Sequence, residues 1–532
     1  MAIEELVSII DVYADAAKVP FAALTLAVCV YCAAKAAFLK SKESKRGFIN
    51  SIPWLALVVV AAAVARVFLY PHHAGMLNDD FYLAQSARRM IDPAFNPINI
   101  FDVPSGWPLI VSMSFWVNGI DQYAMFYANA IIGCLSVVVV FYLVYGATGR
   151  LSAAVVSAFF LALSPLHSLW STCGSGDVAA AFFMVASIAA LFWFFRLHYV
   201  ELIFLSMYAA SFASQISAEN LLLFVAIPAA IFLFSRELFV PRMVAKNFVF
   251  PIVLTLPTIV NGLMAYSARA AAASLDLMSA FSKAGIAGSA VANLADYISA
   301  ASGERFFLFV LLFAAIGLLA GLKKDSKVFL YFLALGAAYL VVASIFSGKP
   351  AYVERLLINT EILLIAIVGL GVKSVVDSMP KLNNPAMAVG ILMAVLLSYG
   401  NHIDNASPDN DYFAYGREIT SLIDWMNEEL PQNSTLIVED PAPYQFSTRM
   451  NIMTPGMAAA FAGDMPPEAN VYMIVDISAQ GIPGEVCGLF DLEMIKPIDV
   501  SQPMKPCGID LGVYNVKAFK TARKTALKAG NK

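Results

Sequence analysis

The sequence predicts a polytopic α-helical membrane protein with a C-terminal extracytoplasmic α/β domain, and three observations lead to this fold class. The chain has 532 residues, of which 60% are hydrophobic and only 14% are charged. Soluble domains average about 45–50% apolar and about 25% charged residues, so this composition excludes an aqueous fold for the whole chain. Apolar blocks recur from Pro20 to Gly400, and each is long enough to cross a hydrocarbon core of about 30 Å. Beyond residue 400 the chain becomes polar.

About twelve spans are predicted from these apolar blocks. They lie at residues 20–39, 51–70, 122–146, 151–170, 177–196, 199–215, 220–235, 248–267, 305–322, 328–346, 356–373 and 385–400. The residues before the first span are acidic at Glu4, Glu5, Asp11 and Asp15 and lack the basic start of a cleavable signal. An amphipathic leader is therefore expected ahead of a true first span.

Basic residues set the predicted orientation of the spans. Alternate short loops are rich in Lys and Arg, as at residues 40–50, 236–247 and 323–327. The positive-inside rule places such loops in the cytoplasm. In an integral protein of the plasma membrane, the opposite set is then expected outside: the long loops at 71–121 and 268–304 and the segment 401–532.

The chain is predicted to divide at residue 400. Residues 1–400 form the transmembrane region with its two long outer loops, and residues 401–532 form a soluble outer domain. In the outer domain, Arg417–Pro431 has a helix-like pattern, whereas Thr435–Asp440 and Val471–Ser478 are apolar and strand-like. A helix followed by two such strands indicates a small α/β domain.

The first outer loop holds two adjacent carboxylates, Asp79 and Asp80. A carboxylate at the outer membrane surface can act as a general base if it lies within about 2.6–3.2 Å of the proton that it removes. The alternative is structural, because Asp caps the start of a helix well and the run DFYLAQSARRM that follows is helix-like. The spacing alone does not decide between these two roles.

Two further acids open predicted spans on the same side. Asp177 follows the small-residue loop STCGSG at the start of the fifth span, and Glu219 begins the seventh. An acid at a helix N-terminus is favourable through the helix dipole alone. Repetition of outward acids nevertheless favours a site that includes Asp177 and possible substrate binding by Glu219.

Cations also lie at the predicted outer level. Lys349 and Arg355 precede the eleventh span, and Arg88 and Arg89 follow the acidic pair in the first loop. Arg binds a phosphate through a bidentate fork, and Lys acts as a point charge. The alternatives are a side chain reaching toward lipid phosphates for Lys349 and Arg355, and a solvated helix face for Arg88 and Arg89.

Metal, nucleotide and nucleic-acid sites are not indicated by any motif. His72 and His73 are adjacent, but no third ligand stands at a recognisable spacing, so no metal ligands are predicted and a need for a divalent cation stays open. No phosphate-binding Gly-rich loop, nucleophile elbow or zinc helix occurs, and neither a cofactor nor a nucleic-acid partner is expected. Cys487 and Cys507 in the outer domain form a disulfide or remain two thiols.

Taken together, these motifs resemble the C-type (GT-C) glycosyltransferases. The resemblance lies in the acidic pair before an interfacial helix in NDDFYLAQSARRM, the long first outer loop, the Asp-started span in LSPLHSLWSTCGSGDVAAAFF and the late ERLL loop. The most similar branch is that of the protein O-mannosyltransferases and aminoarabinose transferases. The resemblance covers residues 50–375.

The resemblance implies an enzyme that transfers a sugar from a polyprenyl- or dolichyl-phosphate donor at the outer membrane face, with inversion. Asp79 matches the first acid of the family's Asp-Glu pair and is the implied base, and Asp80 stands where the family has Glu. Asp177 matches the second outer-loop acid. Arg355, with Lys349 second, matches the cation near the donor phosphate. The implied partners are the lipid-linked donor, membrane lipids and an acceptor that is a protein, a lipid or a glycan.

Two other classes of protein compete with this interpretation. A transporter or flippase of a lipid-linked or polar substrate is the alternative function, since twelve spans are frequent among transporters. Against it, the sequence shows no internal repeat and no pair of Gly- or Pro-broken spans at matching positions in two halves. The third class is an assembly or receptor protein without catalytic activity, whose outer domain would be the working part.

Overall fold

The structure of the protein is a computed structural model. The residues that it describes are 3–37, 42–69, 78–92, 95, 104–236, 248–260, 314–316, 319, 326–346, 357–378, 421–431, 434–438, 444, 450–455, 457–458, 470–476, 490–497 and 511–519. The chain forms two compact units. The first contains residues 1–72, 102–114 and 123–406, and the second contains residues 73–101, 115–122 and 407–532. The predicted loop at 268–304, the span at 385–400 and most of the span at 305–322 lie outside the described residues.

The first unit is built from apolar α-helices. Their bounds are α1 Ile3–Ala37, α2 Lys42–Val64, α4 Gly106–Asn118, α5 Gln122–Thr148, α6 Leu151–Ala162, α7 Pro165–Trp170, α8 Asp177–Leu197, α9 Val200–Ile216, α10 Leu223–Phe234, α11 Phe248–Val260, α12 Ser326–Phe346 and α13 Ile358–Ser378. Helix α4 continues past residue 114 into the second unit. A π-helix, Ala65–Leu69, extends α2, and a 3₁₀ turn, Ala218–Leu222, precedes α10.

Four of the described helices are long and apolar enough to cross a membrane. They are Ala16–Ala36, Tyr123–Thr148, Asp177–Leu197 and Ile358–Ser378. The predicted class of polytopic α-helical membrane protein is confirmed, and the chain is an integral membrane protein. The full number of spans stays a prediction. The expected leader and first span form one continuous helix, α1.

The predicted span at residues 151–170 was wrong as a single helix. Helix α6 ends at Ala162, and α7 starts at Pro165. Proline has no backbone N–H and is well suited to the first turn of a new helix. The Ser164 side chain caps this helix, because its Oγ accepts a hydrogen bond of 3.1 Å from the His167 backbone N–H. Two short helices therefore replace the predicted span.

The predicted first outer loop is more helical than expected. It contains the predicted helix after the acidic pair, α3 (Asn78–Ile91), but also α4, where a loop was predicted. In α4, Trp107 and Val111 are buried, whereas Trp116 and Val117 are exposed. Its apolar residues therefore do not all face the protein.

Helix packing in the first unit places the N-termini of α8 and α13 at one end. Helix α9 runs back along α8 after a two-residue link in which His198 adopts a left-handed conformation with φ of 55°. Helix α1 packs on α9, and α13 packs on α6 and α12. At the opposite end lie two ion pairs: Lys35 Nζ to Glu201 Oε1 at 3.1 Å and Arg150 Nη2 to Asp377 Oδ1 at 2.7 Å.

The second unit contains α3 and a mixed five-stranded sheet. The strands are β1 Thr435–Ile437, β2 Asn451–Met453, β3 Val471–Asp476, β4 Phe490–Pro497 and β5 Leu511–Phe519, in the order β2-β1-β3-β5-β4. Strand β1 is parallel to β2 and β3, whereas β5 is antiparallel to β3 and β4. Residues 421–429 form a helix that buries Leu422, Ile423 and Met426. The predicted α/β character is confirmed.

Close helix packing generates a prediction at Gly369 of α13. A Cβ atom at Gly369 would lie 2.5 Å from Val144 Cγ1 and 2.7 Å from Ser157 Oγ, because small residues let membrane helices approach closely. At Gly336 of α12 the nearest atom would be 3.8 Å away. We expect Gly369→Ala to lower the stability by about 1–3 kcal/mol through overpacking and Gly336→Ala to leave it nearly unchanged. Thermal unfolding in detergent measures both, and equal melting temperatures would contradict this packing.

Candidate active site

The acidic pair of the first outer loop lies at the start of α3 in the second unit. Asp79 and Asp80 belong to the first turn of this helix, and Arg88 and Arg89 belong to its last turn. Acids at the N-terminus and bases at the C-terminus both oppose the helix dipole favourably. Asp80 is fully buried, Arg89 is exposed, and the Arg88 guanidinium lies 4.2 Å from the centre of the Phe95 ring.

The predicted phosphate-binding cations are not among the described residues. Lys349 and Arg355 both fall within residues 347–356, which lie outside them. The next described residue is Leu357, and α13 begins at Ile358, three positions after Arg355 in the sequence. The adjacent His72 and His73 also lie outside the described residues. The roles of Lys349 and Arg355 stay predictions.

The loop before Asp177, residues 171–176, is held by side chains from two other helices. The Asn129 Nδ2 atom lies 2.9 Å from Trp170 O, 2.9 Å from Cys173 O and 3.0 Å from Ser175 O, so its two N–H groups serve three carbonyls. The Trp107 Nε1–H donates to Gly174 O at 2.7 Å. In a helix, carbonyl groups accept hydrogen bonds from backbone N–H groups. Here the Asn129 and Trp107 side chains donate to the buried carbonyls instead.

Asp177 is the first helical residue of α8, and its side chain is half-buried. The preceding Gly176 permits a close approach, because a Cβ atom there would lie 2.8 Å from Trp107 Cγ and 3.1 Å from Ile216 Cγ2. Asp177 also gains from the helix dipole. Helix-starting and catalytic roles are therefore both compatible with its position.

Glu219 does not start a regular span as predicted, because it lies in the 3₁₀ turn between α9 and α10. Its half-buried carboxylate accepts a hydrogen bond of 3.1 Å from Asn359 Nδ2, in the first turn of α13. The neighbouring Asn220 is fully buried, and its Oδ1 accepts a bond of 2.8 Å from the Tyr339 hydroxyl of α12. Helices α12 and α13 thus hold the turn in place.

The structure brings Asp177 and Glu219 to the same end of the first unit. The contact of Gly176 with Ile216 joins the start of α8 to the end of α9, and Glu219 follows Ile216 by three residues. Asn359 places the start of α13 at this end as well. Buried and half-buried polar side chains at one end of an apolar bundle can bind the polar part of a substrate whose apolar part lies in the membrane.

A second set of polar residues is buried near the break between α6 and α7. Arg66 Nη2 lies 2.8 Å from His167 Nδ1, and Arg66 also donates to Ala62 O at 2.9 Å. Because Arg can only donate, the Nδ1 atom is the acceptor and His167 carries its proton on Nε2. A charged side chain within an apolar helix region needs such a partner, and His167 supplies it to Arg66. Ser164 Oγ donates to Glu361 Oε1 at 2.5 Å.

Sequence reasoning missed Asn129, Trp107, Asn359 and Glu361. The pair in α13 carried a usable signal, because Asn359 and Glu361 are polar residues that open an otherwise apolar span in INTEILLIAI, and polar residues in membrane helices are usually functional or paired. Asn129 and Trp107 carried none, since nothing in the sequence links them to the loop that they hold.

A metal-binding cluster is not found in the described part of the chain. No group of three or more His, Cys, Asp or Glu side chains there is placed to hold a metal ion. Within the same residues no disulfide is formed by Cys29, Cys32, Cys134 or Cys173. Cys487 and Cys507 lie outside the described residues.

Comparison with known proteins assigns the fold. No family model matches the chain, and no curated protein matches its sequence. Among solved structures, ArnT from Cupriavidus metallidurans bound to undecaprenyl phosphate is similar with a TM-score of 0.55 and 13% identity, over 88% of this chain and 98% of ArnT. The apo form of ArnT gives the same score and identity over 89% of this chain and 98% of ArnT.

An archaeal enzyme is similar as well. The apo oligosaccharyltransferase of Archaeoglobus fulgidus has a TM-score of 0.51 and 11% identity, over 80% of this chain and 69% of that protein. The chain therefore shares the fold of ArnT and of this oligosaccharyltransferase, which is the GT-C fold that the resemblance of its motifs implied.

The side chains that hold residues 171–176 generate a prediction on Cys173. This thiol is fully buried in the loop. Trp107→Phe keeps an aromatic side chain but removes the indole N–H that donates to Gly174 O. An unsatisfied buried carbonyl costs about 1–3 kcal/mol. We expect maleimide labelling of Cys173 to accelerate by about 5- to 150-fold, in a variant whose other cysteines are replaced.

Trp193→Phe provides the matched control. Trp193 Nε1 donates a comparable bond of 3.0 Å to Tyr142 O, in a different part of the helix bundle. Its loss should leave the labelling rate of Cys173 unchanged. Equal rates for Trp107→Phe and the parent protein would show that the Trp107 bond does not hold the loop.

Proposed function

We propose that this protein transfers a sugar from a polyprenyl-phosphate donor to an acceptor at the outer face of the membrane. The observation that carries the proposal is the end of the first unit, where a GT-C fold gathers Asp177, Glu219 and Asn359 around the starts of α8 and α13. Support for the donor class comes from ArnT, which has the same fold and was solved with undecaprenyl phosphate bound.

The lipid donor suits the physical character of the first unit. Its outward side chains include large apolar residues along α5, such as Tyr127, Ile131 and Leu135. A prenyl chain packs favourably against such helices, whereas the phosphate and sugar require polar partners and remain at the membrane surface. The acidic residues at the bundle end lie where the apolar helices begin.

The proposed reaction is a direct displacement at the anomeric carbon. An acceptor hydroxyl or amide attacks that carbon, the bond between the carbon and the phosphate oxygen breaks, and the lipid phosphate leaves. Asp79 takes the acceptor proton, and Asp80 and Asp177 position the reacting groups. Arg355 and Lys349 offset the negative charge on the departing phosphate; electrostatic stabilisation of this kind is usually the largest catalytic contribution. Arg88 and Arg89 add substrate contacts.

The assay of Asp79→Asn tests the proposal directly. Asn keeps the volume of the side chain and caps helices as well as Asp, but it cannot accept a proton. We expect sugar transfer from a polyprenyl-phosphate donor to fall by about 10²–10⁴-fold while the melting temperature is retained. Asp177→Asn should lose a comparable amount, and Asp80→Asn should lose less.

Asp121→Asn is the matched control for these variants. Asp121 is exposed between α4 and α5 and has no proposed role, so its variant should transfer sugar at the parent rate. A folded Asp79→Asn protein with parent activity would remove the base assignment. Failure of the parent protein to transfer any sugar, together with uptake of a lipid-linked substrate into vesicles, would favour the transporter alternative.

The outer-face location generates a separate prediction. Single cysteines at Asn118 and Ser421, both exposed, should react with an impermeant maleimide in intact cells, in a variant without the native cysteines. A cysteine at the exposed Lys327, in a predicted cytoplasmic loop, should react only after permeabilisation. If the cysteine at position 327 reacted in intact cells and those at positions 118 and 421 did not, the proposed catalytic acids would lie in the cytoplasm. That result would exclude the proposed mechanism.

A further inference from the structure

We infer that Glu219 and Asn359 form a hydroxyl-binding subsite for the sugar ring of the donor. The inference rests on the proposed function and adds to it the group of the substrate that these two side chains contact. It makes them specificity-determining residues: the ligand is an uncharged sugar ring that presents hydroxyl groups as hydrogen-bond donors.

The first observation is the state of the Asn359 amide. Asn359 is 3% exposed, and its Nδ2 donates to Glu219 Oε1 at 3.1 Å. The reverse orientation of the amide would set its oxygen against the carboxylate, so the nitrogen must face Glu219. The Oδ1 atom then has no hydrogen-bond partner among the described residues.

Leaving a buried acceptor of this kind without a hydrogen bond is costly, because its desolvation is not compensated. The Glu219 bond fixes the amide plane and therefore the direction in which Oδ1 points. A hydroxyl that donates to Oδ1 on binding recovers that cost, whereas a ligand lacking the hydroxyl does not. Unsatisfied polar atoms held at a fixed position are a common feature of sites that select for one hydroxyl.

The second observation is the chemistry of the pair. The Glu219 carboxylate is half-buried. When it is ionised it can accept hydrogen bonds but not donate them, and the same holds for the amide oxygen of Asn359. Two acceptors side by side select a ligand that offers donors. Sugar hydroxyls are such donors, and a bond to a charged acceptor is stronger than one between neutral groups. A phosphate, which brings further acceptors and negative charge, is disfavoured here.

The third observation is that hydrogen bonds of the neighbouring Asn220 hold the turn that carries Glu219. Asn220 donates from Nδ2 to Ala213 O at 3.4 Å and to Ser217 O at 3.3 Å, and it accepts the bond from Tyr339. The 3₁₀ turn that carries Glu219 is therefore fixed by its neighbour before any ligand arrives. Preorganised acceptors lose little conformational entropy on binding and discriminate well.

The location agrees with a sugar subsite. Glu219 and Asn359 lie at the end of the bundle where Asp177 opens α8, linked through the contact of Gly176 with Ile216. Asn359 follows Arg355, the proposed phosphate ligand, by four residues in the sequence. A donor whose phosphate binds near the start of α13 would present its sugar to these side chains.

The experiment measures kcat/KM for polyprenyl-phosphate hexose donors and for each monodeoxy analogue, with the full-length protein in detergent. For one hydroxyl, the parent should prefer the complete donor by about 10- to 100-fold, the factor expected for a hydrogen bond to a charged or buried acceptor. In Glu219→Gln and Asn359→Ser that preference should shrink toward onefold, because the variants lose activity on the complete donor but not on the deoxy analogue.

Two tyrosine variants of α12 separate positioning from binding. Tyr339→Phe loosens the turn and should slow all donors by the same factor, leaving the preference for the hydroxyl intact. Tyr331→Phe removes a buried hydroxyl without a partner among the described residues and should match the parent. If Glu219 and Asn359 served only the stability of the protein, Glu219→Gln and Asn359→Ser would slow all donors by one factor, as Tyr339→Phe does, and the preference for the hydroxyl would stay intact.

The outcomes that overturn the inference differ from those that overturn the proposed function. Unchanged preference in both Glu219→Gln and Asn359→Ser, with the parent active, removes the subsite but leaves sugar transfer in place. Variants that lose a preference for a hydroxyl of the acceptor substrate, with their preference among donors unchanged, would assign Glu219 and Asn359 to binding of the acceptor substrate. That result also overturns the inference. A parent protein that transfers no sugar overturns the proposed function and the subsite together.

Discussion

Satisfaction of backbone carbonyls outside the helices is the constraint on which the candidate site depends. A chain segment buried among apolar helices cannot leave its polar groups without partners. At the end of α7 and in the loop at 171–176, side chains from other helices supply the donors: Asn129 for the carbonyls of Trp170, Cys173 and Ser175, and Trp107 for that of Gly174. The position of Asp177 therefore follows from residues far away in the sequence. The same logic holds at Glu219, whose 3₁₀ turn is bonded by α12 and α13.

The features that depend on local pattern could be predicted from the sequence, and those that depend on contact could not. Apolar blocks of span length predicted α5, α8 and α13, and the strands at Thr435 and Val471 followed from short apolar runs between polar ones. Helix α4 was missed because its 13 residues are too few for a span. The break after Ala162 was missed because the apolar pattern continues across it.

Candidate residues divide in the same way. Asp177 and Glu219 were recognisable because a carboxylate next to an apolar block is conspicuous, and both lie at one end of the first unit. Their partners were not recognisable, since an Asn at position 129 or 359 has no pattern of its own until the fold sets it against a carbonyl or a carboxylate. The same is true of the Arg66 and His167 pair, because nothing in the sequence links these two positions.

The break between α6 and α7 also bears on how the protein is made. Helix α6 has 12 residues and spans about 18 Å, well short of a hydrocarbon core of about 30 Å. It is joined to the much longer α5 by Gly149 and Arg150 alone, so the two would enter the bilayer as one hairpin during synthesis. Ser164, at the break, acquires its partner Glu361 only when α13 is translated, 197 residues later. Biogenesis of the first unit is therefore complete only after its last described helix has left the ribosome.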